Sequence, residues 1–255
     1  MEFRFEKAAR AVLTGLLLLA PAALGAQEFR YEVWHPHYRP PGIRKAGAMG
    51  TLTISETGVT FAEQYKPGKA PKSPHAWQWS YDDIEQLKIA PRTVTVLTYQ
   101  DNAWKLGADR QYTFELRGDG KLEDALRVLR ARLDQRLVAA IPISGAETLW
   151  ELPVKHTARF GGDEGVLRVE PDRIVFDSKK PGASRTWRFE DIDNISSSGP
   201  FDLTLATFER DKFDYGSLRQ FNFQLRRRLE EAAYNDLWMR LNRSKGLTIL
   251  DSYRH

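Results

Sequence analysis

The sequence contains the same succession of motifs twice, and this internal repeat constrains the fold more than any other feature. Residues 50–61 (GTLTISETGVTF) align without a gap with residues 165–176 (GVLRVEPDRIVF). Because the order of the later motifs is also kept, we predict that the chain consists of two copies of one unit. The further aligned pairs, first copy before second, are Val33 and Val154, His35 and His156, Trp79 and Trp187, Tyr81 and Phe189, Asp83 and Asp191, Ile84 and Ile192, and Tyr112 and Phe221.

Within each copy, the spacing of apolar residues changes from a strand pattern to a helix pattern. Alternation at a period of two, as in Leu52 and Ile54 or Leu167 and Val169, predicts half-buried antiparallel strands. Spacing of three and four residues near the end of each copy predicts a helix. The helical stripes are Leu122, Leu126, Leu129, Leu133 and Leu137 in the first copy, and Leu229, Ala233, Leu237 and Leu241 in the second.

These patterns predict an α+β fold made of two tandem units. We expect each unit to be a strongly bent antiparallel sheet of about seven strands that a C-terminal helix closes. The first unit is expected to cover residues 27–140 and the second residues 149–255. Pro, Ser and Gly interrupt the pattern at 141–148 (IPISGAET), which we predict to be the linker.

The motif order resembles that of the bacterial pleckstrin-homology-like domains, including GRAM-type domains, present here as a tandem duplication. The resemblance rests on G-x-L-x-[IV] before a hairpin, on W-x-aromatic-x-D-I, on the later strands and on the final helix, over about residues 29–136 and 149–243. It implies a non-catalytic binding scaffold, often for lipid headgroups or peptides. It transfers no functional residue, because the first hairpins (SETG and EPDR) contain no basic phosphoinositide-binding motif.

The first 26 residues have the order of a secretory signal peptide: basic residues, the apolar run AVLTGLLLLAPAALGA, and small residues at Gly25 and Ala26. We therefore expect export to the bacterial periplasm or beyond, with cleavage after Ala26 and no membrane span thereafter. An uncleaved anchor is the alternative. Cleavage would leave 35 basic and 32 acidic residues, a net charge of +3, which does not favour nucleic-acid binding. The chain has no cysteine, which excludes disulfides and thiolate metal sites.

The pair His35 and His37 suggests a metal site, but zinc needs three or four protein ligands. Only His75, His156 and His255 remain to supply them, so we expect no metal, no cofactor, and a backbone partner for His35. The sequence also contains no G-x-S-x-G elbow and no complete phosphate-binding loop. We therefore predict no catalytic residues and no enzymatic activity.

Two basic loops are the best binding candidates. Their lysines could attract an anionic headgroup, although a merely solvated loop is the simpler explanation. Arg226–Arg228, before the second helix, could extend such a patch. The leading hypothesis is an exported binding or scaffolding protein with an unknown protein partner at the cell envelope. The alternatives are a peripheral binder of anionic lipid or lipopolysaccharide, and then an enzyme of unrecognised class. The candidate binding residues are Lys66, Lys69 and Lys72 in the first loop and Lys179, Lys180 and Arg185 in the second.

The repeated aromatic pair, Trp79 with Tyr81 and Trp187 with Phe189, could be a ligand site or a piece of core. Recurrence in register with the strands favours the core interpretation. The aspartate that follows can stabilise a turn, because its side chain can hydrogen-bond its own backbone. Five other tryptophans have no aromatic counterpart in the other copy. They could mark a partner surface, fill a gap in one core or pack the units together: Trp34, Trp77, Trp104, Trp150 and Trp238.

Overall fold

The computed structural model describes residues 27–37, 46–66, 68–69, 71, 73–102, 107–143, 145, 147–158, 161–211 and 217–246. The expected signal peptide at 1–26 lies outside these residues. Within them, no helix is long and apolar enough to cross a membrane. The helices are α1 (Leu126–Leu133) and α2 (Glu231–Asn242). The strands are β1 (Phe29–Pro36), β2 (Gly47–Ile54), β3 (Gly58–Glu63), β4 (Ala76–Ser80), β5 (Ile84–Ala90), β6 (Thr93–Asp101), β7 (Asp109–Leu116), β8 (Leu137–Ala139), β9 (Trp150–Thr157), β10 (Gly162–Val169), β11 (Arg173–Ser178), β12 (Arg185–Arg188), β13 (Ile192–Ser196), β14 (Asp202–Arg210) and β15 (Leu218–Leu225).

Within the described residues, the strands form one 15-stranded sheet, in the order β13-β14-β15-β9-β10-β11-β12-β8-β5-β6-β7-β1-β2-β3-β4. The expectation of two separate units, each with about seven strands and a closing helix, is therefore wrong. The short strand β8 makes the sheet continuous. It pairs in parallel with β5, where Leu87 lies opposite Leu137, and antiparallel with β12, where Thr186 lies opposite Ala139.

The first predicted helix is shorter than its leucine stripe. Residues Leu122–Ala125 form a 3₁₀ turn, α1 ends at Leu133, and Leu137 belongs to β8. Asp134 follows α1 with φ of 47°, a backbone conformation that stops a right-handed helix. A spacing of four residues thus placed Leu137 correctly in the core, where it is 5% exposed, but in the wrong type of element.

The start of the predicted linker lies against β12. The Thr186 hydroxyl donates to the Ile141 carbonyl at 2.7 Å, and the Ile143 backbone N–H donates to the same hydroxyl at 2.8 Å. Ile141 is only 2% exposed. The two halves of the sheet are therefore joined by hydrogen bonds as well as by the chain.

Two hydrophobic clusters fill the interior, one from residues of the first half up to Ile141 and one from residues 154–241. Trp79 and Trp187 are 3% and 4% exposed, and their rings pack 4.7 Å from those of Tyr112 in β7 and Phe221 in β15 respectively. The core interpretation of the repeated tryptophans is confirmed.

The aspartates after the aromatic pairs hold short turns, as predicted. Asp83 Oδ2 accepts the backbone N–H of Ser80 at 2.9 Å, and Asp191 Oδ2 accepts that of Arg188 at 2.9 Å. Each carboxylate satisfies an N–H group at the start of a 3₁₀ turn. Of the tryptophans without counterparts, Trp77 packs on the first core, and Trp150 and Trp238 on the second. Trp34 is partly buried, and Trp104 lies outside the described residues.

The repeated glycine of the first hairpin is required by close packing. A Cβ on Gly50 would lie 2.5 Å from the ring of Phe61, and one on Gly165 would lie 2.8 Å from the ring of Phe176. These distances are well below a normal carbon–carbon contact of about 3.5–4.0 Å. The same constraint acts in both halves, which explains why the motif contains glycine twice.

Candidate functional site

Four charged residues meet where the first half of the sheet adjoins the second. Lys88 comes from β5, Arg185 from β12, Glu209 from β14 and Arg219 from β15. We refer to these four residues as the Glu209 cluster. Sequence positions more than 120 residues apart thus contribute to one group of charges.

Glu209 is the centre of this cluster. Its side chain is 5% exposed, as is that of Arg185. Arg185 donates from Nε to Oε2 at 3.0 Å and from Nη2 to Oε1 at 3.2 Å. Lys88 Nζ and Arg219 Nη1 each donate to Oε1 at 3.1 Å. One buried carboxylate therefore serves three cations.

The charges of the cluster shift the pKa values of its members. Burial by itself would raise the pKa of Glu209, but the charges of Arg185, Lys88 and Arg219 outweigh it and lower that pKa to about 2. Burial lowers the pKa of Lys88 to about 8, and the charge of Arg185 adds to this effect while Glu209 opposes it. Glu209 is thus ionised at neutral pH, and its single negative charge is shared among the surrounding cations.

Polar contacts between β5 and β14 hold Lys88 next to Glu209. Gln86 Nε2 donates to the Phe208 carbonyl at 3.2 Å, and Gln86 Oε1 accepts the Arg210 backbone N–H at 3.3 Å. The Arg210 side chain forms an ion pair with Glu85 at 2.6 Å. The position of Lys88 therefore depends on packing between the two halves.

A cleft of about 500 Å³ lies beside the cluster and is lined by Lys88, Arg185 and Arg219. His156 and Lys180 also line it. The side chains of Lys88 and Arg219 are 23% and 30% exposed, so part of each cation is accessible.

Carboxylates offset part of this positive charge. Asp163 and Asp211 line the cleft, and Asp163 lies 3.2 Å from Lys180 Nζ and 3.7 Å from His156 Nδ1. Together with Glu209 they make three negative charges against the four positive charges of Lys88, Lys180, Arg185 and Arg219. The surplus of positive charge is concentrated at the Glu209 cluster, where three cations face one carboxylate.

The corresponding positions of the first half have a different chemistry. Arg185 lies opposite Phe176 in the β11–β12 pair, as Trp77 lies opposite Phe61 in the β3–β4 pair. Gln100 occupies the position of Glu209: its backbone N–H bonds to the Thr98 hydroxyl, as that of Glu209 bonds to the Thr207 hydroxyl. The first half thus has an aromatic residue and an amide where the second has an ion pair.

The predicted basic residues do not form one site. Lys66 and Lys69 are exposed, and Lys72 lies outside the described residues. Lys179 pairs with Glu164 at 3.4 Å and does not line the cleft. Only Lys180 and Arg185 do so, and Arg185 is a buried member of the cluster and not a flexible loop cation.

Sequence reasoning missed Lys88, Glu209, Arg219 and His156 as members of this region. For two of them a signal existed. Arg219 is in phase with the buried Phe221 and Phe223, and Glu209 is in phase with Leu205. A charged residue at an inward position of a strand needs a partner, because an unpaired buried charge is costly. Lys88 has no such signal. It alternates with the inward-facing Leu87 and Ile89, so the pattern predicts that its side chain faces solvent.

Comparisons with known proteins give little for this chain. No protein-family model matches it, and no curated protein matches it. Among solved structures it is similar to the C-terminal domain of an unknown protein from Leishmania infantum, at 16% identity and a TM-score of 0.29, over 48% of this chain and 98% of that one. It is also similar to the Spt16D Pob3N heterodimer, at 12% identity and a TM-score of 0.27, over 71% of this chain and 82% of that one. TM-scores of this size do not establish a shared fold.

Proposed function

We propose that the chain is a non-catalytic binding protein that takes an anionic group, a phosphate or a carboxylate, in the cleft beside the Glu209 cluster. One observation carries this proposal: Lys88, Arg185 and Arg219 share a single buried carboxylate. Buried charges are normally paired one to one, and a surplus cation is costly unless an anion compensates it. A ligand anion in the cleft would supply that compensation.

The three cations of the Glu209 cluster make different contacts, and this difference supports ligand binding. Arg185 holds Glu209 with two hydrogen bonds and also donates to the Ser184 carbonyl, so its role is to fix the carboxylate. Lys88 and Arg219 each make one bond to Glu209 and stay partly exposed. Charge-assisted hydrogen bonds from such cations are the strong contacts for phosphate and carboxylate groups. These two residues are the proposed ligand contacts.

The setting of this function is also a proposal. The pattern of the first 26 residues supports export to the bacterial envelope, where the protein would act as a binding or scaffolding module. A pleckstrin-homology-like relationship is supported by the repeated G-x-L-x-[IV] and W-x-aromatic-x-D-I motifs. This relationship concerns the family only. The continuous sheet still excludes two separate seven-stranded units.

A second candidate function is peripheral binding to an anionic lipid or lipopolysaccharide surface. Lys180 favours it, because this residue lines the cleft and its side chain is 71% exposed. A phosphate on a lipid headgroup and a free phosphate have the same chemistry at the cleft. The two ligands are distinguished by vesicle binding: only a protein that recognises the lipid headgroup binds anionic vesicles.

Isothermal titration with sodium phosphate against sodium chloride, at equal ionic strength and pH 7.0, tests the first proposal. The substitutions Lys88→Met and Arg219→Gln should each weaken phosphate binding at least about tenfold, which corresponds to about 1.4 kcal/mol. Arg110→Gln is the matched control, since the exposed Arg110 occupies the position of Arg219 in the first half.

Two results would contradict the proposal. The first is that phosphate, citrate and phosphatidylglycerol vesicles all fail to bind the wild-type protein. The second is that Arg219→Gln binds as tightly as Arg110→Gln. Binding of vesicles but not of free phosphate would support the lipid candidate.

A further inference from the structure

The sheet has two ends that match the two strands joined at its centre. Within the described residues it ends at β13 on one side and at β4 on the other. By the internal repeat, β13 is the counterpart of β5 and β4 is the counterpart of β12. β5 and β12 are the two strands that β8 bridges inside the chain. Each half therefore uses one of these two edges at the central junction, and the other edge lies at an end of the sheet.

The strand β4 lacks the usual protection of a sheet edge. Its residues Ala76, Gln78 and Ser80 are exposed and uncharged. Natural edge strands are generally blocked by lysine, by proline or by a covering segment. In the second half the counterpart of Gln78 is Thr186, which is 3% exposed where β8 and Ile141 lie against it. The same edge is thus covered in one half and uncovered in the other.

The chain approaches β13 as it approaches β5. Arg136 Nη1 donates to the Ile84 carbonyl at 2.9 Å, and β8 begins at the next residue. Lys245 Nζ donates at 3.4 Å to the carbonyl of Ile192, which is the counterpart of Ile84. The sequence then continues with residues 247–250 (LTIL), an apolar and β-branched run that favours a strand. The second half therefore brings such a run to the start of β13, as the first half brings β8 to the start of β5.

We propose that residues 247–250 of one molecule dock on the open edge of β4 in a second molecule of this protein. In this arrangement they also pair with β13 of their own molecule, and so bridge β13 and β4 between molecules as β8 bridges β5 and β12 within the chain. Main-chain hydrogen bonds of the added strand provide the affinity. Because the two contacting surfaces differ, the contact repeats from molecule to molecule and gives rings or open filaments.

One pair of charges makes this contact weaker than the central junction. At the central junction, Arg210 Nε of β14 lies 2.6 Å from Glu85 Oε1 of β5. The counterpart of Glu85 is Asp193 and that of Arg210 is Asp101, because each counterpart lies at the same irregularity in the strand pairing. Between molecules two carboxylates would thus take the place of an ion pair, and like charges repel. Salt screens such repulsion, so we expect the association to be stronger at high ionic strength.

Sedimentation velocity of the untagged full chain, over about a hundredfold range of protein concentration, measures the association. We expect the mean mass of the wild-type protein to rise with concentration. A chain truncated after Gly246 should stay monomeric, because it lacks residues 247–250. The matched control is a chain truncated after Leu250, which should associate as the wild type does.

Charge substitution provides a gain of association, which a folding defect would not produce. Asp101→Arg should tighten the association about fivefold, which corresponds to about 1 kcal/mol, because it restores a pair of opposite charges with Asp193. Asp193→Arg should have the same effect. The double variant would place two arginines together, so the gain should disappear.

The proposal is overturned if the wild-type protein stays monomeric over the whole range of concentration. It is also overturned if the chain truncated after Gly246 associates as the wild type does, because the molecules would then meet through another surface, such as β4 against β4. Equal association of the wild type and both single arginine variants would place the contact away from Asp101 and Asp193 and would overturn it as well. None of these outcomes depends on phosphate binding beside the Glu209 cluster.

Discussion

Arg185 and Trp77 occupy the same position in the two halves of the sheet, each directly opposite a core phenylalanine. Trp77 stacks near His75, with ring centroids 5.0 Å apart, whereas Arg185 binds Glu209. One substitution between the copies thus accompanies two different environments, an aromatic stack in the first half and the Glu209 cluster in the second. A repeated backbone supports both because the strands place these side chains at the same end of each core.

Truncation of a core tryptophan should be strongly destabilising. Trp187→Ala is expected to lower the free energy of unfolding by about 3–5 kcal/mol, because it removes a buried aromatic ring from the second core. Urea unfolding followed by circular dichroism measures this. Tyr99→Ala is the control, since Tyr99 is 58% exposed and its loss should cost within about 0.5 kcal/mol. Near-wild-type stability of Trp187→Ala would mean that the ring does not belong to the core.

Removal of the central carboxylate should destabilise the protein through its cations. Glu209→Gln is expected to cost about 3–5 kcal/mol, because Arg185 would remain buried without a compensating charge. Adding Lys88→Met to this variant should recover part of the loss, since it removes one of the unpaired cations. Urea unfolding of the single and double variants checks both statements. If the double variant were less stable by the sum of the single effects, the shared carboxylate would not couple these residues.

Acid should destabilise the protein in two stages. Burial lowers the pKa values of His35 and His156, so the unfolded chain binds more protons below about pH 6.5 and stability falls there first. Glu209, with a pKa of about 2 against 4.5 for the free group, contributes stability that is present above pH 4.5 and lost as the pH falls towards 2. That contribution is about 3 kcal/mol. Unfolding free energies between pH 7.5 and 2.5 should show a smaller second stage in Glu209→Gln than in the wild type, since Asp83 and Asp172, whose pKa values are also lowered, contribute the remainder.

Alkaline pH should stabilise the protein through Lys88. Its pKa is lowered to about 8, beside 10.5 for a free lysine. Between these values the unfolded chain binds the proton that the folded chain has lost, so the free energy of unfolding rises with pH. Lys88→Met should remove this slope between pH 8 and 10, as measured by urea unfolding. An unchanged slope in Lys88→Met would assign the effect to other groups.

Charge reversal should distinguish the two basic loops. Lys180→Glu should weaken binding to phosphatidylglycerol vesicles at least about fivefold at low salt, since a basic residue near an anionic surface contributes about 1 kcal/mol. Lys69→Glu should have a smaller effect, because Lys69 does not line the cleft. Co-sedimentation at low and high salt measures both, with phosphatidylcholine vesicles as the control. Equal effects of the two substitutions would mean that vesicles bind to the loops and not to the cleft.

The sequence by itself determined which side chains of the strands face the core. Period-two alternation placed Leu52, Ile54 and Phe61 in the core, and recurrence in register distinguished Trp79 and Trp187 from a ligand site. These inferences succeed because successive side chains of a strand point to opposite faces, so that every second residue lies on the same face.

Only the tertiary structure decided how the strands join and which side chains meet. The strand β8 is three residues long, and Leu137 follows the leucines of α1 at helical spacing, so nothing local indicates that it bridges β5 and β12. The meeting of Lys88 with Glu209, and of His75 with His35, depends on strand order and on the pairing of distant segments. Local spacing contains no information about those pairings, because they are set by long-range packing of the whole sheet.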